Sequence, residues 1–157
     1  MSAHDVNPPA EDQTHDVATV GQRIGGALID GLLTSMVIVV PMILGLIDFE
    51  EFEGTPPGPV LMGLFLFGAI YTIVPTAVLG QTPGKIAVGT RVVAEADSSL
   101  PGWRRSFVRW ALPGLAGRLP VVGLAVSLVI LVSLLSDPRR RGLHDKLAGT
   151  VVIKVRR

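Results

Sequence analysis

Arg23 and Asp30 stand seven residues apart, and Asp30 is the only ionisable side chain between Ile24 and Ile47. Seven residues are two helical turns, so in a helix both side chains leave from the same side, with Ala27 between them and Thr34 continuing the stripe. A carboxylate inside an apolar helix costs about 2.5–3.5 kcal/mol at mid-membrane on insertion scales. Something must offset that cost. Burial favours the neutral carboxyl and a nearby guanidinium favours the charged one. A carboxylate held between those pulls can exchange a proton or hold a small cation, with Arg23 tuning it. The competing reading is an ion pair that locks helix packing. At 1.5 Å per residue Asp30 lies about 10 Å deeper than Arg23. Arg23 can therefore snorkel to the membrane edge and Asp30 cannot.

Three other segments invite chemistry. Gly80-Gln81-Thr82-Pro83-Gly84-Lys85 resembles a phosphate loop, but three residues separate its glycines where four are needed, and Ile86 replaces the Ser or Thr after the lysine. The plainer expectation is a sharp exit from a helix, with Lys85 near anionic headgroups or a carboxylate. Arg139-Arg140-Arg141 beside an apolar span is expected to attract anionic lipid and set topology. Nucleic-acid binding is not expected. His144-Asp145 lacks an accompanying nucleophile, so no hydrolase and no enzyme of another kind is expected. Asp145 is expected to accept hydrogen bonds from turn amides or to pair with Arg23, Lys85 or Arg91. The three histidines show no ligand spacing and there is no cysteine, so neither a metal site nor a cofactor is expected.

These groups must be positioned by apolar helices. The 157 residues are 48% hydrophobic and 17% charged, a balance that points to a membrane protein. Residues 1–22 carry Asp5, Glu11, Asp12 and Asp16 but no Lys or Arg, and read as a disordered acidic tail. With no apolar stretch near Met1, it is not expected to be a signal peptide. Apolar spans run over about 24–47, 60–79 and 119–136, each near the ~20 residues that cross a ~30 Å core. Pro41 and Pro75 are tolerable there, because neighbouring helices or hydroxyls such as those of Thr34 and Ser35 satisfy freed backbone groups. Residues 103–118 mix Trp103, Phe107 and Trp110 with Arg104, Arg105, Arg109 and Arg118, and predict an interfacial or re-entrant helix broken at Pro113-Gly114. Two β-branched runs, Ile86–Ala94 and Thr150–Val155, are expected to pair.

Charge sets the topology. The 48–59 loop holds four acidic residues and no basic one, so it is expected outside, with the N-terminus inside. If 103–118 and 119–136 form a hairpin that enters and returns, the seven basic residues after Asp137 stay inside and both β-branched runs share the cytoplasmic face.

The elements in this order resemble the RDD family of small bacterial membrane proteins. Arg23 and Asp30 match its first arginine and first aspartate. Leu143-His144-Asp145-Lys146-Leu147-Ala148-Gly149-Thr150 matches the motif that holds its second aspartate, and Gly80–Lys85 followed by Gly89-Thr90-Arg91 resembles its loop. The resemblance implies a multi-pass protein of the bacterial plasma membrane, for which a transport role, including cation/proton antiport, has been suggested. The fold expected is an all-α integral membrane bundle of three transmembrane helices plus one interfacial or re-entrant helix, with a small cytoplasmic β pairing. The function expected is a small transporter such as a cation/proton exchanger, acting as a homo-oligomer or with a partner, with Asp30 as the ion- or proton-binding carboxylate, Arg23 as its tuner, Asp145 as an inner gate, and Thr34, Lys85 and Arg91 in support. The alternative is a non-catalytic membrane module that assembles with or regulates another membrane protein.

Overall fold

The computed structural model describes residues 16–46 and 58–155; the acidic loop Asp48–Glu53 and most of the acidic tail lie outside them. The described chain runs α1 (Val20–Ile43), α2 (Gly58–Leu79), α3 (Pro83–Ala87), β1 (Thr90–Ala94), α4 (Gly102–Ala116), α5 (Pro120–Ser136), α6 (Leu143–Ala148) and β2 (Thr150–Lys154).

Helix α1 starts earlier than the apolar run, because Thr19 caps it. The Thr19 hydroxyl accepts from the Gln22 amide at 3.2 Å, and Gln22 Oε1 accepts from the Thr19 amide at 3.0 Å. Pro41 and Pro75 lie within α1 and α2 without ending them. Both helices are long and apolar enough to cross a membrane, whereas the equally apolar α5 has 17 residues. Within α1 only Gly26 is buried, and Leu28, Leu32 and Ile43 are exposed at 63%, 64% and 78%. Such a bare apolar surface belongs against lipid or another membrane helix.

The β-branched runs pair as expected. Strands β1 and β2 are antiparallel, from Thr90 opposite Lys154 to Ala94 opposite Thr150. The first strand is shorter than its run, because Ile86 and Ala87 close α3 and Gly89 turns the chain at φ +66°. Asp16–Ala18, within the stretch read as tail, runs along β2: the Ala18 amide donates to Val152 O at 2.9 Å and the Lys154 amide to Asp16 O at 2.8 Å. Ala18, Val92 and Val152 form a small buried core there.

Helix α4 corrects one expectation. It runs unbroken through Pro113 to Ala116. Proline removes one backbone donor and crowds the carbonyl four residues back, but α4 is held through it by packing along α2 and by the Gly117 amide, which donates to Pro113 O at 3.0 Å. Helices α4 and α5 form a hairpin. Arg109 of α4 meets Asp145, and Ser133 of α5 donates to Arg141 O at 3.1 Å, so both arms return to the end that holds α6 and the sheet. The turn lies at the other end, where Arg118 donates to Leu61 O at 3.3 Å. Trp110 packs on Phe65 with ring centroids 5.2 Å apart, so α4 stands alongside α2.

The backbones of α1 and α3 approach closely at Gly26 and Gly84. A Cβ on Gly26 would lie 3.4 Å from Gly84 O, and one on Gly84 would collide with Gly26 O and lie 2.7 Å from Asp30 Cγ. Overpacking of this kind typically costs about 1–3 kcal/mol. Gly84→Ala is therefore expected to lower thermal stability in detergent sharply or to abolish folding. Gly63→Ala, where nothing lies within 4 Å of an added Cβ, should leave the melting temperature near that of the parent chain. Equal melting of the two variants would disprove the backbone contact.

Candidate functional site

The Asp30 carboxylate turns from α1 toward the loop that leaves α2. The Gly84 amide and the Tyr71 hydroxyl donate to Oδ1 at 2.7 and 2.9 Å, and the Thr82 hydroxyl donates to Oδ2 at 2.5 Å. Lys85 Nζ lies 3.8 Å from Oδ2 and donates to Thr82 Oγ1 at 3.1 Å. The loop geometry makes this possible. Gly80 takes φ +70° directly after α2, and its carbonyl accepts from the Val92 amide at 2.7 Å, turning the chain onto the sheet. Thr82 then precedes α3, Pro83 occupies its first turn, and the Gly84 amide is left to point at Asp30.

Arg23 and Asp30 do leave α1 from one side, but they are not partners. Arg23 Nη1 lies 2.5 Å from Asp145 Oδ2, and Arg109 of α4 engages Oδ1. The Gly142 amide donates to Oδ2 at 3.1 Å, the turn-amide contact expected for Asp145. Asp145 is fully buried. Lys85 and Arg91, the other expected partners, go elsewhere: Lys85 to Asp30, and Arg91 to Gln81 at 3.4 Å on the exposed face of β1. Gln81 also donates to Thr90 O at 2.8 Å. Thr34 donates to the backbone oxygens of Asp30 and Gly31, at 2.8 and 3.0 Å, and so serves its own helix.

Two members of these sites are absent from the sequence-derived set. Tyr71 is the sole tyrosine, a lone hydroxyl in an apolar span, and that was an available signal. Arg109 was one of four arginines in its segment, and nothing in spacing set it apart. A separate cluster fastens the end of α5: Asp137 accepts from the amide and Nε of Arg141, both at 3.1 Å, and meets Lys146 at 3.2 Å. These bonds, led by Arg141, hold the Asp137 carboxyl well below the usual range. Arg139 and Arg141 both reach Glu95. Among the described residues no three His, Asp or Glu side chains gather as a metal set.

His144 lies beside Asp145, with Nε2 3.5 Å from Oδ1, yet that carboxylate is already shared by two guanidiniums. Burial, followed by the charges of Arg109, Arg23 and Lys85, pushes the imidazole down to about 2. The folded protein therefore holds His144 neutral at every physiological pH. In the unfolded chain it protonates near 6.5. The unfolded state binds the extra proton between those values, so stability falls as pH drops below 6.5. Acidification from pH 6.5 to 5 is expected to destabilise the protein in detergent by up to about 2 kcal/mol through this group. His144→Gln should flatten the dependence, and an unchanged slope in that variant would assign the effect elsewhere.

Asp145→Asn leaves two buried guanidiniums without a counter-charge, and breaking a buried pair costs about 3–5 kcal/mol. The expected result is loss of folded protein. Arg91→Gln, on the exposed strand face, should express and melt as the parent does.

No curated protein and no solved structure matches the chain. The profile of the RDD family matches residues 17–149, which include both charge sites and every element except β2. The chain belongs to the RDD family.

Proposed function

We propose that this membrane protein is a small transporter that exchanges a monovalent cation for a proton at the Asp30–Lys85 pair, acting as an oligomer. The observation that carries this reading is the Lys85 ammonium, seated against Asp30 Oδ2 and Thr82 Oγ1 with the Tyr71 hydroxyl on the opposite carboxylate oxygen. Those oxygens suit a hard cation as well as an ammonium. Burial first, then the Arg109 and Arg23 charges, push Lys85 down to about 8, against the opposing pull of Asp30. Loss of its proton leaves a carboxylate and two hydroxyl oxygens to hold an alkali ion; return of the proton expels it. One positive charge replaces another, so the site stays balanced through the cycle. The exchanging partner of Asp30 in this scheme is Lys85, and Arg23 with Asp145 holds the frame.

In the same reading the sheet end lies in the cytoplasm, where positive charge is retained, and the acidic loop lies outside the bacterial plasma membrane. Helices α1 and α2 cross, and the α4–α5 hairpin enters and returns. Four helical segments enclose no path by themselves, hence the oligomer. A second reading is favoured by the three hydrogen bonds to Asp30, which equally suit a latch. The chain is then a non-catalytic module whose bare α1 face docks on another membrane protein.

Sealed proteoliposomes with a pH-sensitive dye separate the two. Addition of Na⁺, K⁺ or Li⁺ is expected to move protons through the parent protein, with activity rising through an inflection near pH 8 as Lys85 loses its proton. Folded Asp30→Asn and Lys85→Gln variants should show no movement. Silence of the parent protein toward all three ions, with crosslinking in native membranes trapping one different membrane protein, would support the module instead. A reporter fused after Arg157 is expected to give a cytoplasmic signal; a signal from the far side would exclude the returning hairpin.

A further inference from the structure

A groove of about 520 Å³ opens beyond the Asp30–Tyr71 hydrogen bond, between α1 and the α2–α4 pair. Gly31 and Ile38 form one wall, Phe65, Gly68 and Trp110 the other, and Arg118 stands at the far end. Along α2 the groove extends from Leu61 to Thr72. At 1.5 Å per residue that is about 16 Å, close to one leaflet of a ~30 Å hydrocarbon core. Leu61 lies in the first turn of α2, so Arg118, bonded to its carbonyl, sits near headgroup level. The guanidinium lies 4.0 Å over the Phe65 ring, and among the described residues its one hydrogen bond is that to Leu61 O. Among the described residues, most of its five N–H donors are left for a partner.

We propose that this groove is a binding site for an anionic phospholipid, one acyl chain lying between α1 and α2–α4 and the phosphate held by Arg118. Three features select this occupant. The walls are mostly apolar over the length of an acyl chain, with Thr34, Ser35 and Thr72 as their polar members, so a hydrated solute is disfavoured. The groove's lining residues come from α1 and α2, the two helices long and apolar enough to cross a membrane, and from α4 and the turn after it. The single cation is at the end where a headgroup phosphate sits, and a guanidinium fork matches phosphate with two parallel hydrogen bonds. A zwitterionic lipid brings its own ammonium to Arg118, whereas an anionic one leaves the phosphate charge uncompensated and so binds better. This site is independent of the Asp30–Lys85 exchange reading and stands or falls separately.

Tryptophan quenching tests it. The chain has two tryptophans, Trp103 and Trp110, and Trp103→Phe leaves Trp110, in the groove wall, as the only reporter. That variant is reconstituted in vesicles that contain a fixed fraction of lipid with brominated chains, either phosphatidylglycerol or phosphatidylcholine. Stronger quenching by the brominated phosphatidylglycerol is expected, with the preference lost in Arg118→Gln and retained in Arg118→Lys. Circular dichroism on each variant confirms that it is folded. Equal quenching by the two lipids in the Arg118 protein would overturn the proposal. So would a Trp110 that neither lipid quenches while Gly31→Cys crosslinks to a second copy, because the groove would then be filled by protein.

Discussion

A carboxylate removed from water must be met by donors, and in this chain the donors that meet Asp30 come from everything that α1 has to be fastened to. Tyr71 belongs to α2; Thr82, Gly84 and Lys85 belong to the loop and α3. Helix α1 buries only Gly26 of its 24 residues, so apolar packing alone cannot locate it. The polar contacts at Asp30 and the glycine contact at Gly26–Gly84 do. A buried polar group left without partners is more costly than the net gain of any one hydrogen bond. That asymmetry makes the arrangement specific: any other rotation of α1 exposes the carboxylate to hydrocarbon or drives a side chain into Gly84.

Asp145 does the same for the other side of the molecule. Its two guanidiniums belong to α1 and α4, and its own helix leads straight into β2. The two sites share one electrostatic neighbourhood. Arg23, Lys85 and Arg109 bring three positive charges to two carboxylates. The excess is what burial turns against the weakest bases, keeping His144 neutral and loosening the proton of Lys85. The lowered proton affinity of Lys85 is thus a property of its burial and of the whole cluster.

The sheet explains how segments so far apart in sequence reach one end of the bundle. Residues 16–18, 90–94 and 150–154 hydrogen-bond side by side. This draws the start of α1, the exit of α2, the arms of the α4–α5 hairpin and α6 to a common base. The groove beside Phe65 and Trp110 lies between α1 and the α2–α4 pair.

Much of this was legible in the sequence. The lengths of the apolar runs, the β-branched pairing, the sharp turn at Gly80–Lys85 and the segregation of charge follow from local rules: hydrophobic period, backbone freedom of glycine, and the exclusion of charge from hydrocarbon. That Asp30 needs partners was also legible, because a carboxylate is costly in an apolar helix; Asp145 stood out through the motif Leu143–Thr150. Which charge meets which was not legible. Helical spacing places Arg23 and Asp30 on one side of α1, yet two turns apart they reach different neighbours, and those neighbours are decided by how α3, α4 and α6 pack. Arg109 illustrates the limit: four arginines share its segment, and only the crossing of α4 over α6 brings one of them to Asp145. Pro113 illustrates the converse, since its local preference predicts a break that packing of α4 along α2 overrides. Sequence determined which side chains needed partners, through the cost of burying them; tertiary structure alone chose the partners, because they lie far along the chain, 41 residues apart for Asp30 and Tyr71 and 122 for Arg23 and Asp145.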